Sequence, residues 1–148
     1  MNNQETNTVF EIDQIKTHGL ENALKADIYV VPQDLKPGQW VAQGDLNFIV
    51  VKSIPRQATL VSKPSLQLAP GNTKGSRHCL NSLNNVEVYH IDNGNDLLGY
   101  WLSITGETIV THPEHKHQLW RPNTDGSPVN MIVTYQRQHS EELRRIQD

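Results

Sequence analysis

Leu97-Leu98-Gly99-Tyr100-Trp101-Leu102-Ser103-Ile104-Thr105-Gly106-Glu107-Thr108-Ile109-Val110-Thr111 is the stretch that decides the fold class. It holds two runs rich in β-branched and aromatic residues, separated by a Gly-containing turn. Asn93-Gly94-Asn95-Asp96 stands just before it. That composition predicts strands joined by hairpin-type connections. Residues 86–91 read as a strand upstream. Downstream, Leu119-Trp120 and residues 131–135 flank the polar loop Asn123-Thr124-Asp125-Gly126-Ser127-Pro128.

The same reading extends toward the N-terminus. Residues 46–52 form an apolar run long enough for a buried strand, launched by the turn Gln43-Gly44-Asp45. Asp27-Ile28-Tyr29-Val30-Val31 is strand-like and is stopped by Pro32. Lys36-Pro37-Gly38-Gln39 reads as a turn, and Pro55, Pro64 and Pro70-Gly71-Asn72 cut the intervening chain into short pieces. About eight short strands between Gly, Pro and Asn turns predict a mainly β domain, a sandwich or small barrel.

Helices are expected only near the two ends. Residues 9–26 space their apolar side chains in a way that hints at a short helix, weakened by Gly19. Ser140-Glu141-Glu142-Leu143-Arg144-Arg145-Ile146 carries a capping Ser, acids in its first turn and arginines in its last. That order suits the helix dipole. The expected organisation is an N-terminal extension over residues 1–42 and a β core with a C-terminal helix over residues 43–148.

At 148 residues the chain can bury one ordinary core without staples. A net charge of -3 argues against a nucleic-acid surface over the whole domain. A single cysteine cannot form an internal disulfide, which fits a reducing compartment. The first residues show neither a basic nor an apolar leader region, and no segment approaches the ~18 apolar residues of a membrane span. A cytoplasmic protein without membrane contact is therefore expected. Strand edges need covering, so a homo-oligomer is expected as well.

The chemistry concentrates in two places. Thr111-His112-Pro113-Glu114-His115-Lys116-His117 gathers three imidazoles and a carboxylate, and Arg77-His78-Cys79 supplies a fourth imidazole. Imidazole is the commonest protein ligand for divalent transition metals. His115 and His117 are two apart, so on a strand they leave the same face. Pro113 allows a turn that swings His112 toward them. Against this, Lys116 suits a solvated loop.

Across Gln43-Gly44-Asp45, Gly75-Ser76-Arg77-His78, Thr111-His112-Pro113-Glu114-His115 and Tyr135-Gln136-Arg137 the chain is similar to a group of small bacterial and phage-type β proteins. That group resembles cupin-like β-barrels in motif order, with one His-containing motif early and another late. The resemblance implies a metal or small-ligand pocket. Where a cupin carries His-x-His, this chain reads Ser76-Arg77-His78, one ligand fewer.

The candidate metal ligands are His78, His112, His115 and His117, for Zn or Fe. Glu114 is the candidate general base, beside a metal-bound water. Lys74 and Arg77, in the loop Gly71-Asn72-Thr73-Lys74-Gly75-Ser76-Arg77, are candidate anion contacts. Trp120, Arg121, Gln136 and Arg137 are candidates for a ligand-binding rim. Cys79 is the weaker nucleophile candidate: it and His78 are adjacent, so on a strand they face opposite ways. Two functions fit: a cupin-like domain binding a metal or small ligand, as a metal-dependent enzyme acting on a small polar substrate, or a non-enzymatic binder. The latter would sequester an anionic small molecule or inhibit a protein partner, as in phage-type anti-defence.

Overall fold

The residue-by-residue alternation of Leu46–Val51 explains the architecture. Leu46, Phe48 and Val50 join one apolar cluster, while Ile49 and Val51 join another. All six positions are buried. A strand whose two faces both meet apolar neighbours must lie inside a covered sheet.

The computed structural model describes residues 28–68, 78–91 and 98–136. They form ten strands: β1 Ile28–Val30, β2 Trp40–Gln43, β3 Leu46–Val51, β4 Thr59–Leu60, β5 Cys79–Leu80, β6 Val86–His90, β7 Leu98–Ile104, β8 Thr108–Thr111, β9 His117–Trp120 and β10 Val129–Tyr135. One sheet has the order β1-β9-β8-β5 and the other β2-β3-β10-β7-β6-β4. Only β1 and β9 run parallel; the other pairs are antiparallel.

The main core takes side chains from both sheets. Phe48, Val88, Leu102 and Met131 come from the six-stranded sheet, and Leu80, Val110 and Trp120 from the four-stranded one. The described residues thus form two sheets around a shared core, with no closed barrel. Ile49, Trp101 and Ile132 make the second cluster on the other face of the six-stranded sheet. The two proposed terminal helices lie outside the described residues. The expected boundary near Gln43 falls at the end of β2. Residues 28–42 already supply β1 and most of β2, paired to β9 and β3.

One connection differs from the sequence expectation. Thr105-Gly106-Glu107 does not close a hairpin. β7 and β8 belong to different sheets, so this turn carries the chain from one sheet to the other. Asn85 holds the crossing: its carbonyl accepts from Thr105 N–H at 2.9 Å, and its side chain donates to the Glu107 carbonyl at 3.1 Å. β8 pairs instead with β5 and with β9, the latter reached through the loop 112–116.

Among the described residues, no helix is long and apolar enough to cross a membrane.

Phe48 is fully buried and packs on Trp120 with ring centroids 6.0 Å apart. Phe48→Ala should therefore cost about 3–5 kcal/mol in urea denaturation, the range for deleting a buried aromatic. Leu60→Ala, at a position 54% exposed, should change stability by no more than ~0.5 kcal/mol. Equal effects of the two substitutions would contradict a core shared by both sheets.

Candidate functional site

Strand pairing brings the histidines together. Cys79 lies opposite Thr111 in the antiparallel β5–β8 ladder. One step further along each strand, His78 therefore comes opposite His112. The His78 and His112 rings are 4.4 Å apart between centroids, and the His112 and His115 rings 4.7 Å. His78 and His112 are buried, while His115 is exposed at the mouth of the stack.

The loop that carries His112 and His115 is held by its own imidazoles. His112 Nδ1 accepts the backbone N–H of Glu114 at 3.0 Å and of His115 at 3.2 Å. The N–H of His112 in turn donates to His117 Nδ1 at 3.2 Å. In both rings Nδ1 is thus the acceptor, and in the neutral form the proton sits on Nε2. These two histidines cap the backbone of the loop, as side-chain oxygens do in Asx turns.

The third element is the β2–β3 turn. Gln43 pairs with Leu46, leaving Gly44 and Asp45 as the two central residues. Gly44 has φ of +58°, the sign a type II′ hairpin needs at its first central position. A Cβ at Gly44 would come within 2.8 Å of His115 Cδ2 and 3.4 Å of His78 Cε1. Glycine therefore provides both the turn and the room for two rings. Gln136 secures the turn from β10: its side chain donates to the Gly44 carbonyl at 3.1 Å, and its N–H to the Asp45 carbonyl at 3.1 Å.

His78 joins the turn to the histidine stack. Its Nδ1 lies 2.7 Å from Gln43 Oε1, and its Nε2 lies 3.2 Å from Asp45 Oδ1. Burial is the main cause that lowers its pKa to about 4, with the neighbouring His112 adding to it and the hydrogen bond to Asp45 opposing. Cys79, next in sequence, has its thiol pKa pushed up by burial, which disfavours the thiolate a nucleophile needs.

Beside the histidines lies a cleft of about 340 Å³. Tyr29, Trp40, Gly44, His115 and Lys116 are among its lining residues. It runs between β1, at the edge of one sheet, and β2, at the edge of the other. Gln118 joins the two edges. It lies opposite Tyr29 in the β1–β9 pair, and its side chain donates to the Ala42 carbonyl at 2.8 Å. Its own carbonyl oxygen accepts from Trp120 Nε1 at 3.1 Å.

The structure thus brings His78, His112 and His115 together, with His117 bracing the loop from behind. Glu114 stands exposed on the same loop. Trp120 lies in the core, fully buried against Phe48, and not on a rim. Arg121 is half-buried and is not part of the cleft lining. Gln136 reaches the site only through the turn backbone. Lys74, Arg77 and Arg137 lie outside the described residues. Sequence reasoning missed Gln43, Asp45, Tyr29 and Trp40 as site residues. The Gln-Gly-Asp turn was a usable signal for the first two; nothing local marked the aromatics.

Among the described residues, no group of three His, Cys, Asp or Glu side chains already stands in a metal-holding arrangement.

The lowered pKa of His78 has a defined sign. An unfolded histidine titrates near 6.5 and the folded one at about 4. Between these values the unfolded chain takes up a proton that the folded one refuses, so stability falls as pH falls. His78's contribution should be complete above about pH 6.5 and lost on approach to pH 4. Urea denaturation in chelator across this interval checks it. His78→Gln should flatten the slope; an unchanged slope would remove His78 as its source.

No curated protein and no solved structure matches the chain. A family match covers residues 42–122. It contains the β2–β3 turn, His78 and the whole 112–117 loop, and it starts after Tyr29 and Trp40. This is more than half of the sequence, and the chain belongs to the family described as Domain of unknown function (DUF8820).

Proposed function

We propose that the protein is a small-ligand-binding domain that takes a planar, anionic molecule in the cleft between the two sheet edges. The observation that carries this is the placement of exposed aromatics. Among the described residues the large exposed hydrophobic side chains are Tyr29, Trp40 and Leu60, and two of these line this one cleft. A single exposed aromatic is ordinary, but two lining one cleft make the kind of apolar patch that marks a binding surface. Trp and Tyr offer flat faces for stacking, while Lys116 and His115 add a cation and a polar ring at the same place.

Hydrogen bonds tie the walls together, which lowers the ordering cost of binding. Gln43 donates to the Val110 carbonyl at 3.1 Å and to the Lys116 carbonyl at 2.9 Å. With Gln118 it fixes β2 against β8, β9 and their loop. The resemblance to cupin-like proteins supports a pocket of this kind, although its geometry here is a cleft between sheet edges. A general-base role for Glu114 belongs to a metal-dependent version of the same reading, since it needs an activated water beside it.

A second reading is a non-enzymatic binder of a protein partner. It rests on the same aromatics lying on edge strands, where Tyr and Trp serve as interface anchors.

Calorimetric titration with 1-naphthoate and adenosine monophosphate, against 1-naphthol as the neutral comparison, separates these readings. The anions should bind saturably and more tightly than naphthol. Trp40→Ala should weaken binding by roughly 5- to 150-fold, the loss expected when ~1–3 kcal/mol of stacking is removed. Lys116→Ala should abolish the preference for the anion. Failure of every planar anion to bind would leave the protein-partner reading in its place.

A further inference from the structure

The hydrogen bonds of Gln43 fix where the proton of His78 lies. The Gln43 side-chain nitrogen donates to two main-chain carbonyls, those of Val110 and Lys116. Both of its N–H bonds are then used, and Oε1 is left as an acceptor. That oxygen lies 2.7 Å from His78 Nδ1. His78 Nδ1 must therefore carry the hydrogen, and the neutral ring presents a lone pair at Nε2.

The lone pair does not point at a donor. It faces Asp45 Oδ1, 3.2 Å away. A carboxylate oxygen is also an acceptor. Two acceptors at this separation repel unless a positive centre, a proton or a metal ion, lies between them. Asp45 is 56% exposed, so the gap is open to solvent on that side. His115 borders the same space, since its Nε2 and His78 Cε1 both approach the point above Gly44 where a Cβ would stand.

We infer that His78 Nε2, Asp45 and His115 form a binding site for a divalent transition metal ion. The buried imidazole is prepared as metal-ligating histidines are, with its other ring nitrogen donating to a fixed oxygen, here that of Gln43. Two imidazoles and one carboxylate leave further coordination positions for water, a donor set suited to Zn²⁺, Co²⁺ or Fe²⁺. His78 and Asp45 are already adjacent. His115 is exposed on its loop and completes the set by rotation of its ring. His112 and His117 are not ligands. Each uses its Nδ1 lone pair to accept backbone N–H groups and carries its proton on Nε2. Their part is to hold the loop that presents His115.

This ligand set differs from a row of four histidines. It removes two of them for a stated reason and adds Asp45. It is also independent of the cleft reading, because its test uses metal alone.

The full-length protein, made without a His tag and stripped with chelator, is titrated with Zn²⁺ by calorimetry. Co²⁺ is followed by its visible absorption. One ion per chain should bind, with a Co²⁺ spectrum of nitrogen and oxygen ligation. Asp45→Asn and His115→Ala alter exposed side chains, so both variants should fold. Each should lose at least about tenfold in Zn²⁺ affinity. Gln43→Leu should weaken binding by about 10–100-fold, as loss of an outer-shell partner does. His90→Ala, on the exposed end of β6, should bind as the parent does. No uptake of either metal, or parental affinity in either the Asp45 or the His115 variant, would overturn the assignment.

Discussion

The side-chain amide of Gln43 is the contact on which the site depends. Gln43 ends β2, in the six-stranded sheet, but its side chain makes its hydrogen bonds outside that sheet. Its two N–H groups fix the Val110 carbonyl of β8 and the Lys116 carbonyl of the β8–β9 loop. Its oxygen orients His78. These three bonds leave neither the nitrogen nor the oxygen of the buried amide without a partner, and an unpartnered buried group costs roughly 1–3 kcal/mol. Satisfaction of this group therefore sets the relative position of the two sheets at this end of the core. The same bonds decide which ring nitrogen of His78, at the buried end of the histidine stack, carries the hydrogen.

Much of the strand content was legible. The apolar run of β3 and the Gly-Asp turn before it carry strong local signals, and they appear where the sequence places them. What local signals could not supply was pairing. Thr105-Gly106-Glu107 looks like a hairpin turn because a tight turn between two β-rich runs has that composition in either case. Whether the second run folds back on the first depends on which faces need burial. Here Leu102 and Ile104 on β7 and Val110 on β8 approach the core from opposite sheets. The turn is a crossing and not a hairpin.

The candidate site shows the same division. Grouping the histidines by motif singled out side chains that the β5–β8 pairing and one short loop bring together. Their separate roles were not legible, since they depend on which backbone N–H each ring meets. Trp120 looked like a rim residue next to a polar loop. In the fold its alternation on β9 sends it inward, where its N–H is satisfied by Gln118. Tyr29 and Trp40 also stand on strands. They lie on the outermost strands of different sheets, where a side chain has no neighbour on one side.

His115 connects the two parts of the site. Its ring packs on His112 on one side, borders the Gly44 turn on another and lines the cleft below Trp40 and Tyr29. A ring that completes a metal site would turn toward His78 and Asp45, and that turn would change the cleft floor. Ligand and metal would then be coupled through one rotatable side chain, with reciprocal effects on each other's affinity. Gly44 makes this possible. Any larger residue there would occupy the space that His115 needs, and the positive φ of the turn would strain it as well. The short turn that starts the core strand therefore also limits how the site can be built.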